Sequence, residues 1–165
     1  MKETQDMKDI LDILKKDSRY TPKQIATMLG KEEQEISDAI KKYDDEGIIV
    51  GYTTMGNWEK TNIESVTALI EVKVTPQRDE GFDTVAERIY KFAEVESCYL
   101  MSGGFDLTVI IRGKTLKEVA LFVAEKLSTL DSVLSTSTHF VLKKYKENDE
   151  IFEGPENDDR EAMIL

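Results

Sequence analysis

The residues best suited to binding a small polar molecule lie in the run Ser102-Gly103-Gly104-Phe105-Asp106. Because glycine has no side chain, the backbone N–H groups of Gly103 and Gly104 can closely approach an anionic group such as a carboxylate. Asp106 could then bind a cationic group on the same molecule. A second interpretation stays open, in which the glycines only form a hairpin turn and Asp106 only caps it.

The composition argues against an enzyme. His139 is the only histidine and Cys98 is the only cysteine, and the sequence has no nucleotide-binding glycine loop. Neither a nucleophilic triad nor a metal-ligand cluster can be assembled from these residues, and Asp106 alone is not a catalytic constellation. We therefore expect no catalytic residues, no metal and no cofactor. A single cysteine cannot form an internal disulfide, which is consistent with a reducing compartment, and Cys98 is expected to be a small strand residue.

Three helices are predicted in the first 50 residues. The first ends near Lys16, and the second begins with a capping box in which Thr21 and Gln24 bind each other's backbone. Gly30 then suits a left-handed turn into the third helix, which ends before Gly47. The predicted buried residues are Met7, Ile10, Leu11 and Leu14, then Ile25, Met28 and Leu29, and then Ile36, Ile40 and Tyr43. Three short helices with so tight a turn are typical of a helix-turn-helix.

The pattern after the third helix changes to that of strands. Residues 48–53 predict a short strand, either a wing or a link to a second domain. From residue 66 onward, apolar residues alternate or recur at helical spacing in the order β-α-β-β-α-β, which predicts a ferredoxin-like domain. The predicted strands are 66–74, 95–101, 105–112 and 133–144. The predicted core faces of the helices are Phe82, Val85, Ala86, Ile89 and Ala93, and then Leu116, Val119, Ala120, Val123 and Leu127.

A sheet of this kind has helices on one face only, so its other face needs a cover. We expect that face to hold Leu69, Cys98, Leu100 and Phe140, or else the alternate residues, and we expect either set to be too apolar for water. The same face of a second copy would cover it. The predicted fold is therefore α+β, with an N-terminal winged helix-turn-helix and a C-terminal domain that dimerises face to face.

Composition and charge divide the chain into four parts. We assign 1–52 to the helix-turn-helix, 53–65 to a linker, 66–145 to the ferredoxin-like domain and 146–165 to an acidic tail. The tail has eight Asp and Glu residues against two Lys and Arg, in a chain of net charge −11. Most of the tail is expected to be solvated, although Ile151 and Phe152 could dock. The N-terminal pattern and the short apolar runs predict neither a signal peptide nor a membrane span, so we expect a cytoplasmic protein.

Residues 6–145 resemble the Lrp/AsnC (leucine-responsive, feast/famine) family of transcription regulators. The most specific likenesses are the junction Gly47-Ile48-Ile49-Val50-Gly51-Tyr52 and the run Ser102 to Leu107, which matches the family's Gly-x-x-Asp loop. The resemblance implies dimers that can form octamers, binding to double-stranded DNA, and amino-acid effectors bound between subunits. By the resemblance, the ligand-binding residues are Gly103, Gly104 and Asp106, with Thr136 and Thr138 supplied by a neighbouring subunit.

Two further residues, His139 and Trp58, lie near these segments. His139 could hydrogen-bond a ligand or tune the dimer interface, although a half-exposed strand histidine is the simpler interpretation. Trp58 lies in the linker, where we expect it to pack domains or subunits together.

The third helix departs from the family pattern because acidic residues dominate it. Asp38 and Ala39 occupy positions where basic residues are expected, and the neighbouring acids repel phosphates. The predicted DNA-binding residues are Lys23, Gln24, Gln34, Ser37, Lys41 and Lys42. The main hypothesis is a DNA-binding regulator that senses an amino acid or related metabolite. The alternative is a co-regulator or small-molecule sensor with weak or no DNA binding.

Overall fold

The computed structural model describes residues 2–75 and 81–152. The chain divides into two compact units, Met1–Gly56 and Asn57–Leu165. The segment 53–65, predicted as a linker, is therefore shared between the two units. No helix in the described ranges is long and apolar enough to cross a membrane.

The first unit contains the three predicted helices, α1 (Lys2–Lys16), α2 (Pro22–Leu29) and α3 (Glu33–Asp45). The predicted capping box at Thr21 is confirmed, and Gly30 ends α2 in the left-handed conformation with φ 64°. The buried residues of the unit come from all three helices: Ile10, Ile25, Ala26, Ile36 and Tyr43. The prediction that Met28 is buried is wrong, because its side chain is 53% exposed and Ala26 takes the inner position.

The strand predicted at residues 48–53 is not formed. The chain turns at Gly47, and residues 50–57 form no helix or strand and pair with no strand in the described part of the chain. A strand needs a neighbouring backbone to bond with, and none of the described residues supplies one here. Val50 is consequently 94% exposed.

The second unit has the predicted ferredoxin-like order. Its elements are β1 (Val66–Val74), α4 (Gly81–Tyr90), β2 (Val95–Leu100), β3 (Leu107–Gly113), α5 (Leu116–Phe122) and β4 (Val133–Phe140). A π-helical turn, Val123–Leu127, continues α5. The strands form one antiparallel sheet in the order β2-β3-β1-β4, so β2 and β4 are its edges. β4 ends four residues earlier than predicted.

The core lies between the sheet and its two helices. Every second residue of β1 from Ala68 to Val74 is buried against α4 and α5, as predicted. Three residues predicted to face the core, Ala93, Leu116 and Ala120, are exposed instead. Phe122 lies in the core and Phe92 packs against it, with their rings edge to face and the ring centroids 5.6 Å apart.

The open face of the sheet differs from the prediction. Leu69 lies on it, opposite Ile110 and His139. Cys98 is instead opposite Val109 and Phe140 is opposite Ala68, and both of those partners are buried under the helices. The predicted grouping of Leu69 with Cys98, Leu100 and Phe140 is therefore wrong. The register places these residues on the open face: Thr67, Leu69, Glu71, Lys73, Ser97, Tyr99, Thr108, Ile110, Arg112, Ser135, Ser137 and His139. This face is mostly polar.

The first part of the predicted acidic tail is folded. Lys146–Glu147 and Glu150–Ile151 form a small hairpin, β5 and β6, which turns at Asn148 and Asp149 with positive φ angles. Phe152 docks: its backbone N–H donates to Tyr145, and its carbonyl accepts a bond from Asn57. Ile151 stays 67% exposed. Pro76 and residues 153–165 lie outside the described residues.

Candidate functional site

The exposed face of α3 is the candidate nucleic-acid interface. Ile36 and Tyr43 are buried against α1 and α2, and Gln34, Asp38 and Lys41 lie on the opposite side of the helix, exposed. Ser37 is half-buried at the flank of this face. The Gln34 side-chain amide donates to Asp38 Oδ1 at 2.9 Å. The Gln34 amide nitrogen is therefore already hydrogen-bonded within the helix.

The remaining predicted DNA-binding residues are dispersed around this face. Lys23 is exposed on α2. Gln24 is committed to the capping box, where its Oε1 accepts from the Thr21 N–H at 2.8 Å. Lys42 lies on another side of α3, where it lines a groove with residues of α1. The structure thus places Gln34 and Lys41 on one face of α3, two turns apart, and Lys42 on another side of the helix.

The groove beside Lys42 lies between α1 and α3 and has a volume of about 370 Å3. Apolar side chains such as Met7, Ile10 and Ile48 line it, together with the charged residues Asp6, Lys31, Glu35, Lys42 and Glu46. Lys31 forms ion pairs with both Asp6 and Glu35. These two hydrogen bonds raise the pKa of the Lys31 ammonium, the bond to Glu35 contributing most.

The candidate ligand loop lies at one end of the sheet, between β2 and β3. It is a hairpin, as predicted, closed by the Met101 N–H donating to the Asp106 carbonyl at 2.8 Å. Asp106 Oδ2 accepts a hydrogen bond from the Val74 N–H at 2.9 Å, and the Asp106 N–H donates to the Val72 carbonyl. Asp106 is therefore a structural residue that fixes the loop to the end of β1.

Gly103 and Gly104 are both exposed in this loop. Gly103 has φ 156°, at the margin of the region that side-chain-bearing residues rarely adopt, whereas Gly104 does not have such an angle. A Cβ atom at either position would meet no atom within 4 Å. The backbone of the loop is consequently accessible to a ligand or to a neighbouring molecule.

Thr136 and Thr138 lie on β4, opposite Val72 and Ile70. They are half-buried on the helix-covered side of the sheet. Thr136, Val72 and Leu107 form one row across three strands, so β1 separates both threonines from the Asp106 loop of the same chain. The two predicted groups of ligand residues do not meet within one chain.

The other residues selected from the sequence have local partners. His139 Nε2 lies 3.3 Å from Ser137 Oγ and 3.5 Å from Glu71 Oε1 on the open face. Trp58 lies in a short 3-10 helix, and the guanidinium of Arg112 stands over its ring at 5.5 Å. Cys98 is half-buried, and burial raises the pKa of its thiol.

Some interactions could not be read from the sequence. The sequence shows that Lys31 and Glu35 are four residues apart, but the other partner of Lys31, Asp6, comes 25 residues before it. The Trp58 and Arg112 pair is separated even further along the chain. Within residues 2–75 and 81–152, no group of three or more His, Cys, Asp or Glu residues could hold a metal ion.

Comparison with known proteins assigns a family to each unit. Residues 67–151 match the Lrp/AsnC ligand binding domain, and residues 7–50 match a winged helix-turn-helix DNA-binding domain. The chain is 52% identical over 161 residues to an uncharacterized HTH-type transcriptional regulator, YugG, of Bacillus subtilis, and the match covers 97% of each. It is 30% identical to a proline dehydrogenase transcriptional activator of Rhizobium radiobacter, over 84% of this chain and 88% of that one.

Solved structures show the same fold. Escherichia coli AsnC superposes with a TM-score of 0.68 at 18% identity, covering 87% of this chain and 94% of that one. A Neisseria meningitidis transcriptional regulator in complex with L-Met superposes with a TM-score of 0.70 at 24% identity, covering 86% and 90%. At these identities the likeness concerns the fold.

Proposed function

The chain belongs to the Lrp/AsnC family of DNA-binding transcriptional regulators, and from that premise we propose that it binds double-stranded DNA through α3 and responds to an amino-acid-like effector. The family and the named relatives are regulators, which agrees with the prediction that the chain is not an enzyme. The observation that carries the DNA proposal is the position of Gln34 and Lys41, which are both exposed on the outer face of α3, two helical turns apart.

The proposed DNA contacts consist of a few cations and hydrogen-bonding groups. Lys41 and Lys23 supply charge to phosphates, and Gln34 and Ser37 supply hydrogen bonds to phosphates or base edges. Gln24 can contribute only its amide nitrogen, since its oxygen is held in the capping box. Lys42 would contribute from the flank. So few cations predict weak binding by one subunit, which assembly into dimers or octamers would strengthen.

The proposed effector site is the loop that contains Gly103 and Gly104. Their N–H groups would bind a carboxylate, and Asp106 would offer its second carboxylate oxygen to an ammonium while the first holds Val74. Thr136 and Thr138 would come from a neighbouring subunit, because β1 separates them from this loop in their own chain. The L-Met complex of the Neisseria protein, which has the same fold, supports an amino acid as the effector class.

Homodimerisation through the open face of the sheet is the third part of the proposal. Of the residues that the strand register places on that face, three are formally charged at neutral pH: Glu71, Lys73 and Arg112. Leu69 and Ile110 lie side by side in its two central strands. A second copy would cover this apolar pair and would exchange hydrogen bonds with the surrounding serines and threonines.

The deciding experiment is a gel-retardation titration of the full chain on DNA from upstream of its own gene. Binding is measured at low and at physiological salt, with and without L-Met, L-Pro and a mixture of the other amino acids. Saturable, sequence-preferring retardation supports the regulator, and an amino-acid-dependent shift supports the effector site. Failure at low salt as well would overturn DNA binding by the chain alone.

One variant tests the loop itself. Gly104→Ala adds a methyl group where there is room for it and where the backbone imposes no strain, so the fold should be unaffected. If the Gly104 N–H contacts an effector, the variant loses the amino-acid response and keeps its DNA affinity and Tm. Ser102→Ala, in the same loop, is the matched control. An unchanged response in the Gly104 variant would place the effector elsewhere.

A specific observation favours the alternative function. Glu32, Glu33 and Asp38 are exposed on or beside the outer face of α3, and Asp38 holds the Gln34 amide. If α3 binds a basic partner protein instead of DNA, the chain acts as a co-regulator or sensor. Failure of retardation by the chain alone, restored by adding a basic family member, is the expected result for that function.

A further inference from the structure

Lys31 connects three helices of the first unit. Its ammonium donates to Asp6 Oδ2 of α1 at 3.0 Å and to Glu35 Oε1 of α3. Its side chain is only 18% exposed, against 31% for Asp6 and 55% for Glu35. The ammonium is thus held between two carboxylates on different helices.

The backbone of Lys31 is fixed as well. Gly30 ends α2 in the left-handed conformation, and the Lys31 N–H donates to the Ala26 carbonyl at 3.0 Å. This is the bonding by which a helix end fixes the residues that follow it. The point from which the Lys31 side chain departs is therefore set by α2, and its ammonium is set by α1 and α3.

The start of α3 lacks a side-chain N-cap. Glu32 occupies the N-cap position, and its side chain makes no capping hydrogen bond. A Ser, Thr, Asp or Asn at this position would bind a free N–H of the first turn and fix the helix start. In α2 the Thr21 capping box performs this task. The Lys31 ammonium cannot accept a bond from these N–H groups, but through Glu35 and Asp6 it ties the first turn of α3 to α1.

We propose that Lys31 is the positioning residue of the recognition helix, holding the first turn of α3 against α1 through its ion pairs with Glu35 and Asp6. This inference rests on the proposed function, in which α3 is the DNA-binding element. It also explains a feature of the charge pattern: Lys31 lies at the start of the recognition helix but serves the fold, because two carboxylates already neutralise it. Lys31 therefore acts on DNA through α3 and makes no phosphate contact.

The variants that test this are Lys31→Met, which keeps the length of the side chain and removes the charge, and Lys31→Arg, whose guanidinium can bind two carboxylates. Lys8→Met is the matched control, because Lys8 is an exposed lysine of α1. Amide hydrogen exchange of the full chain is measured without DNA. We expect Lys31→Met to reduce the protection of the α3 amides selectively, and Lys31→Arg to restore it.

DNA binding gives the second measurement. Loss of one phosphate contact lowers the slope of log affinity against log salt by about 0.9. A mispositioned helix that keeps the same number of phosphate contacts lowers the affinity and leaves this slope unchanged. We expect Lys31→Met to weaken binding to the promoter fragment by roughly tenfold, with less preference over unrelated DNA and an unchanged salt slope. Lys31→Arg should recover most of the affinity.

The outcomes separate this inference from the proposed function. A salt slope reduced by about one contact would make Lys31 a phosphate ligand and overturn the inference. Unchanged α3 protection in Lys31→Met would also overturn it, even in a chain that binds DNA normally. If the wild-type chain does not bind DNA, the exchange measurement still decides whether Lys31 holds α3. Adding Glu35→Gln to Lys31→Met should cost no further protection, since the two residues act as a pair.

Discussion

The Asp106 carboxylate and the Val74 N–H are hydrogen-bonded at 2.9 Å, 32 residues apart in the chain. This bond fixes the glycine loop to the end of β1. Asp106→Ala would leave the N–H of the buried residue Val74 without its partner, and we expect it to lower the free energy of unfolding by about 1–2 kcal/mol. Urea unfolding followed by circular dichroism measures the loss.

Asp106→Asn is the informative companion, because its amide oxygen can still accept from Val74. We expect it to retain stability to within about 0.5 kcal/mol of the wild type and to weaken the binding of an ammonium-bearing effector, since the negative charge is gone. If Asp106→Asn were as unstable as Asp106→Ala, the hydrogen bond would depend on the charge. If it responded normally to effector, Asp106 would have a structural role only.

The outer face of α3 supports a pair of opposite predictions. Lys41→Ala removes a phosphate contact, so DNA affinity should fall and the salt slope should decrease by about 0.9. Asp38→Asn removes a repelling charge from the same face and should raise affinity, most clearly at low salt. Lys8→Ala, on α1, should change neither. If Lys41→Ala and Asp38→Asn leave the DNA affinity as unchanged as Lys8→Ala does, DNA does not contact this face.

Local patterns were predictable because their partners are close in sequence. Thr21 and Gln24 are three residues apart, and the capping box forms as the spacing indicates. The open face was not predictable, because it depends on which residues of β2 and β3 stand opposite each other. A register irregularity between Val95 and Ser97 shifts that pairing. Alternation alone assigns faces within one strand but does not relate two strands.

The candidate site shows the same division. The glycine loop was found from its composition, because a short hairpin is a local structure. The hydrogen bond from Val74 to Asp106 and the ion pair between Lys31 and Asp6 cross 32 and 25 residues, and tertiary packing creates them. The missing strand at 48–53 has a further reason: its apolar pattern suits a strand, but none of the strands among residues 2–75 and 81–152 pairs with it.

The pKa of the Asp17 carboxyl should be lower than that of an ordinary aspartate. The side chain of Arg19 lowers its pKa from 3.8 to about 2 through hydrogen bonds, and the Arg19 backbone N–H assists. Because the folded-state pKa lies below the unfolded-state value, the bond stabilises the fold fully above about pH 4 and is lost as pH falls through 2. In Arg19→Gln, the Asp17 pKa should move upward toward 3.8.

Carbon-detected NMR of the Asp17 carboxyl between pH 1.5 and 5 measures this pKa directly. Arg19→Lys, which keeps the positive charge but cannot bind both carboxylate oxygens in a fork, should give an intermediate value. An unshifted titration in Arg19→Gln would assign the lowering to the backbone N–H alone.

Leu69 and Ile110 provide the test of face-to-face dimerisation. They are neighbours on the central strands of the open face, where a charge would meet its own copy near the two-fold axis of a symmetric dimer. We expect Leu69→Lys to weaken the dimer by at least about tenfold, because a buried unpaired charge is costly, while each chain stays folded. Sedimentation equilibrium measures the dissociation constant. Leu116→Lys, at an exposed leucine on α5, is the control and should leave the dimer intact. The reverse result, with α5 sensitive and the sheet insensitive, would move the interface to the helical side and remove the reason for expecting the open face to be covered by a second copy.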